Sequence, residues 1–183
     1  MKKYTTILVF AFVARLLGSA DPDSGFTAKE PFLITTAGQS ADLLMVKILA
    51  EKAELQFTMD KLAQAENLKD QATLILVSGG STKGLGAAKI DRDDELARVQ
   101  VLIDTARKAE IKIITMHMGG KARRGKLSDP FNKLAAENAD CLIVVKSGDE
   151  DHFFSSIAAE KKIPIFLVEK IIGAKDVLEG IFR

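Results

Sequence analysis

The chain has 183 residues, 47% apolar and 28% charged, which suits one globular domain with a sizeable core and excludes a disordered chain. Its 26 basic and 25 acidic residues give a formal charge of +1, so there is no broad basic field and nucleic acid is excluded as a partner class. The single cysteine, Cys141, rules out an internal disulfide, and its place in the apolar run Cys141-Leu142-Ile143-Val144-Val145 marks a buried core thiol.

In chain order, Lys2 and Lys3 precede an apolar run over 7–17, and Gly18-Ser19-Ala20 supplies small residues at cleavage positions. This pattern predicts a secretory signal peptide over 1–20, interrupted only by Arg15 and too short to span a bilayer. Export to a periplasm or beyond is expected, with no stable membrane insertion after cleavage. Losing Lys2, Lys3 and Arg15 leaves 23 basic against 25 acidic residues. Pro22, Gly25 and Pro31 mark 21–31 as a flexible leader, followed by a single α/β domain over 32–183.

Within that domain, a strand over 32–36 leads through Ala37-Gly38-Gln39 to Ser40, which is placed to cap a helix over 41–53. A second strand over 55–59 precedes a short helix over 60–68. The unbroken apolar run over 73–77 reads as a central strand covered on both faces. It feeds a Gly/Ser/Lys-rich loop over 78–86, and a helix then starts at Asp91, with Asp94 completing the cap. Leu96, Val99, Ile103 and Ala106 give that helix one apolar face. A strand over 111–116, a basic glycine-rich loop over 117–128 and a helix opened by Asp129-Pro130 come next. Strands over 142–145 and 164–168 alternate with helices near Phe153 and over 175–182.

Such alternation predicts a three-layer, doubly wound α/β fold, flavodoxin-like or Rossmann-like, with a mostly parallel sheet of five to six strands. The expected order is 2-1-3-4-5, with strand six outside five. Ligands in these folds sit beyond the carboxyl ends of the strands where the winding reverses, here between strands one and three.

Three motifs compete for the loop over 78–86. A P-loop needs its lysine after the turn and before a hydroxyl, and Ser81-Thr82-Lys83-Gly84 has the reverse order. A dinucleotide fingerprint on Gly84-Leu85-Gly86 fails at Lys89, where close helix packing wants Gly or Ala. The run Gly80-Ser81-Thr82-Lys83-Gly84-Leu85-Gly86 resembles the glycine motif of short-chain dehydrogenases, but the only tyrosine, Tyr4, lies in the signal segment, leaving no Tyr/Lys proton-transfer pair.

The loop Thr35-Thr36-Ala37-Gly38-Gln39-Ser40 resembles the phosphate loop of flavodoxins, where hydroxyls and helix N-terminal amides hold an anion. Ala37 replaces a hydroxyl, and no Trp or Tyr remains after residue 20 to stack on a flavin, so no cofactor is expected. His117, with Ser78 or Ser81 as nucleophile and Asp91 as orienter, would be a hydrolase or transferase set, although no Gly-x-Ser-x-Gly elbow is present. Asp149, Glu150, Asp151 and His152 match no metal spacing, and their acids suit a helix N-terminus, so no metal is expected.

The stretches TTAGQSADLLMVKILAEK (35–52), LILVSGGSTKGLGAAKID (74–91) and MHMGGKARRGKLSDPF (116–131) together resemble a family of small exported bacterial α/β proteins of unknown function. That resemblance implies export and a single α/β domain and carries no activity.

From the residues, the expected function is non-catalytic binding of a small carboxylate or phosphate at the strand ends. The expected site comprises Thr36, Gly38, Gln39, Ser40, Ser78, Gly79, Gly80, Ser81, Thr82, Lys83, His117, Arg123 and Arg124. Backbone amides near Gly38 to Ser40 and Gly79 to Thr82 would be donors, with Lys83, Arg123 and Arg124 as counter-charges. The alternatives are the His117 hydrolase and an envelope interaction domain docking its basic loop on an acidic partner.

Overall fold

The computed structural model describes residues 25–182, so the signal-peptide reading lies outside the described residues. The apolar runs form six strands: β1 (Phe32–Ala37), β2 (Phe57–Met59), β3 (Thr73–Ser78), β4 (Lys112–His117), β5 (Cys141–Val145) and β6 (Ile165–Val168). They make one sheet in the order β2-β1-β3-β4-β5-β6, and every neighbouring pair is parallel, matching the expected doubly wound order.

Among the described residues, six α-helices complete the layers: α1 (Leu43–Lys52), α2 (Thr82–Ala88), α3 (Arg92–Lys108), α4 (Asp129–Glu137), α5 (Phe153–Lys161) and α6 (Gly173–Ile181). Side chains alternate across the sheet. Ile34, Ile75, Val77 and Ile143 point into a core with Val46 of α1 and Leu178 of α6. Leu74, Leu76 and Ile113 point the other way, against Val99, Leu102 and Ile103 of α3. Beside that second core, Leu142 and Val144 pack on Phe154 of α5. Burial on both faces is why β1, β3 and β5 read as continuous apolar runs rather than alternating ones.

Several local expectations give way to specific contacts. Ser40 does not cap α1. Asp42 occupies the cap position, and the Ser40 hydroxyl donates to its carboxylate at 2.7 Å. The helix expected over 60–68 shrinks to a 3₁₀ turn, Ala65–Leu68: Asp60 accepts the Leu62 amide in a turn, and the Gln64–Asn67 capping box starts the 3₁₀ turn only after it. Half of the expected glycine loop is helical: Ser81 accepts the Gly84 amide at 3.0 Å and starts α2. The stretch expected to be a flexible leader docks from Phe26 onward. The Ala28 amide donates to Ile181 at 2.7 Å, and Thr73 donates its hydroxyl to the Lys29 carbonyl at 2.8 Å.

Candidate functional site

The switch point lies at the carboxyl ends of β1 and β3, and the loops expected to meet there do meet. They bond to one another. The Gly79 amide donates to Ala37 and the Ser81 amide to Gly38, each at 2.9 Å, while the Gly80 amide donates to the Ser128 hydroxyl at 3.0 Å. A Cβ on Gly38 would lie 2.6 Å from the Gly79 carbonyl oxygen, and one on Gly80 would lie 2.8 Å from Leu127. These glycines allow two backbones and the approach to α4 to touch, which leaves no space between the loops for a ligand.

The anion at this switch point belongs to the chain itself. Glu95, fully buried in the first turns of α3, accepts the Gly38 amide at 2.9 Å and the Gln39 side-chain amide at 3.0 Å. Arg98 donates to both oxygens of the same carboxylate, at 2.7 and 2.8 Å, and also to the carbonyls of Thr36 and Ala63. The Thr36 hydroxyl lies 3.5 Å from Glu95 and 3.1 Å from the Lys61 carbonyl. Sequence reasoning missed both Glu95 and Arg98. Their signal is helical spacing: Glu95, Val99, Leu102 and Ala106 form the buried stripe of α3, while Leu96 is only half-buried.

The basic residues expected to receive a ligand are engaged as well. Arg124 forks onto Asp151 at 2.8 and 2.9 Å, bonds Asp129 and the Gly148 carbonyl, and lies 4.3 Å over the Phe153 ring. Asp151 and Asp129 hydrogen-bond its guanidinium and push its pKa further up, against the opposing effect of burial. Arg123 lies against Gly79, reaches the Gly80 carbonyl at 3.3 Å and faces Asp42 at 3.4 Å. Of the thirteen expected residues, only Thr82 and Lys83, in the first turn of α2, are exposed.

Ser78 and His117 end neighbouring strands and point to the face covered by α4, as their alternation with Leu76 and Thr115 requires. The His117 Nε2–H donates to the Gly120 carbonyl at 3.1 Å, and its ring lies 4.7 Å from that of Phe154. Its Nδ1 and the Ser78 hydroxyl are buried without partners. Burial pushes the imidazole below its ordinary value; the Gly120 carbonyl opposes this and the Arg124 charge adds to it. Asp91 does not orient the ring, because it caps α3 and accepts the amides of Asp93 and Asp94.

The acidic run after β5 is also accounted for locally. Asp149 accepts the amides of Phe154 and Ser155, Glu150 faces Lys121, and Asp151 holds Arg124. Among the described residues, no group of three His, Cys, Asp or Glu side chains is placed to hold a metal.

One open groove, of about 490 Å³, lies over the ends of β4, β5 and β6; another, of about 430 Å³, is lined by Lys121, Arg124 and Asp151, whose charges pair with one another or with neighbouring acids. Met118, Val145, Ile171 and Ile172 give the first groove apolar walls, and Ser147 and Lys170 give it polar ones. Lys146 beside it is paired with Glu169 at 2.6 Å, whereas Lys170 has no carboxylate partner among the described residues. Ile172, 55% exposed, stands at the rim of this groove. The sequence signal for this groove is the pair Ile171-Ile172, set between Lys170 and Gly173 where a strand has already ended.

Residues 29–182 match a family model described as a domain of unknown function (DUF6305). No curated protein matches the sequence. Solved structures that align with the chain include a protein described as lipolytic, of the G-D-S-L family, from Desulfitobacterium hafniense DCB-2, at 11% identity and a TM-score of 0.36, with 76% of each chain covered. A GDSL-like lipase from Bacteroides thetaiotaomicron VPI-5482 is 10% identical at a TM-score of 0.36, covering 81% of this chain and 71% of that one. At these identities and scores the likeness assigns no activity to this chain.

Proposed function

The chain belongs to the DUF6305 family, a domain of unknown function, and for this member we propose a non-catalytic, exported binding module whose ligand is a small carboxylate or phosphate. The ligand lies in the groove over β4, β5 and β6. One observation carries this reading: the groove is open at the strand ends while its one charged wall residue, Lys170, lacks an acidic partner among the described residues. The apolar walls would hold the ligand's hydrocarbon part, and Lys170 with the Ser147 hydroxyl would hold its charge. A closed switch point favours this place over the crevice between β1 and β3.

The test is thermal unfolding of the wild type and of Lys170→Glu with a panel of small carboxylates and phosphate. Stabilisation of the wild type by at least one of them, lost in Lys170→Glu with the basal Tm kept, supports the groove. A wild type that responds to none, or a variant that responds equally, removes it.

A hydrolytic reading keeps one supporting observation, the adjacency of Ser78 and His117 with the Nδ1 lone pair unengaged. Against it, both side chains are fully buried, and no carboxylate hydrogen-bonds the ring among the described residues. Equal turnover of an ester and phosphoester panel by wild type and His117→Ala would eliminate it.

A further inference from the structure

We propose that the β1–α1 loop is a carboxylate-binding site whose resident is Glu95, an internal ligand seated where a doubly wound fold usually receives a free anion. This goes beyond the groove reading and does not rest on it.

The donor set is larger than a simple ion pair requires. Gly38 offers its backbone amide at 2.9 Å, Gln39 its side-chain amide at 3.0 Å, and Arg98 its Nε and Nη2 at 2.7 and 2.8 Å. The Thr36 hydroxyl adds a contact at 3.5 Å. The donors come from the end of β1, the loop after it and α3, so no single element creates the site. Arg98 is itself held in place, because the Thr36 and Ala63 carbonyls accept from its Nη2 at 2.6 Å and its Nη1 at 2.8 Å.

The loop takes an uncommon shape to aim these donors. Gly38 has a φ of 105° and Gln39 a φ of 61°, both in the left-handed region. Gly84 of α2 closes the site from the far side, where a Cβ would come within 2.1 Å of the Gln39 carbonyl oxygen. A planar fork from arginine beside an amide matches a carboxylate rather than a tetrahedral phosphate. The ligand class is therefore a one- or two-carbon carboxylate, the size of what a glutamate loses when cut back to alanine.

The experiment is Glu95→Ala in sodium formate, sodium acetate or sodium chloride at equal ionic strength, read by thermal unfolding. Formate or acetate should raise the Tm of the variant by about 4 °C over chloride. The wild type, with its place already filled, should gain less than the variant, and only what carboxylate binding in the groove contributes. Adding Arg98→Met to Glu95→Ala should abolish the carboxylate response. Should Glu95→Ala not survive purification in chloride, refolding from urea reads the same property, as recovery of folded protein in formate and not in chloride. A variant indifferent to formate and acetate in both measurements overturns the proposal. So does an equal gain in chloride, or a wild type that gains as much as the variant.

Discussion

His117 is buried with no hydrogen-bond partner on Nδ1, so adding a proton there creates a charge that burial and the nearby Arg124 disfavour, offset only in part by the Asn132 side chain and the Asp42 charge. Its folded pKa is lowered by burial, while the unfolded chain titrates near 6.5. As pH falls below that value, the unfolded chain takes a proton that the native one does not, so stability is complete above it and is lost on acidification. One such proton contributes up to about 1.4 kcal/mol per pH unit. His117→Gln can keep an N–H toward the Gly120 carbonyl without titrating. Urea unfolding at several pH values should therefore show a flatter dependence just below pH 6.5 in the variant; an unchanged slope would assign the pH dependence elsewhere. Arg124 makes a second residue-scale case. Its guanidinium holds the Asp151 carboxyl down to about 2, yet that carboxyl is largely in water, and screening leaves its own linkage small. The guanidinium matters more as a clamp between the basic loop and α5. Arg124→Ala should cost about 2 kcal/mol in urea unfolding. Arg124→Lys should recover only part of that, because an ammonium cannot fork onto Asp151.

Among the elements, α2 separates the intrinsic preference of a residue from the tertiary demand on it. Gly84 and Gly86 both lie inside this seven-residue helix, where alanine is normally the better residue by about 1 kcal/mol. Gly86 faces open space, and Gly86→Ala should stabilise by about 0.5–1 kcal/mol. Gly84 touches the Gln39 carbonyl, and the same substitution there must push α2 off the β1 loop. Gly84→Ala should therefore destabilise, with opposite signs for the two variants in one denaturation series. If both stabilise, α2 is not seated on the loop. Capping at the next helix follows the local rule: Asp91→Ala removes acceptors from two amides of α3 and should cost about 1 kcal/mol.

At the scale of the molecule, the helical layers cover both faces of β5, which lies between β4 and the edge strand β6 and begins at the buried Cys141. Burial pushes its thiol up, and the nearby Asp140 charge pushes it the same way. The thiol reaches solvent only when the sheet opens, so alkylation of the native protein by iodoacetamide should follow global unfolding. Reaction should be complete in urea and negligible in buffer, accelerating with destabilising substitutions such as Gly84→Ala. Rapid alkylation of the native protein would show that β5 opens by a local route.

Periodicity and punctuation alone determined the sheet. Its strand order, the capping pair Asp91 and Asp94 and the start of α4 at Asp129 were all legible, because runs such as Thr73-Leu74-Ile75-Leu76-Val77 report burial on both faces. The convergence of the loops around Gly38, Gly80 and Arg123 was legible too, since right-handed crossovers leave few arrangements of six parallel strands. What those loops hold was decided by tertiary structure. Glu95 and Gly38 lie far apart along the chain, and nothing local at either position says that one will accept the other's amide. The basic loop poses the same problem, because sequence counts charges while only folding assigns partners, and Asp129 and Asp151 claim Arg124. Composition gave the donors of this domain; distance in three dimensions chose their acceptors.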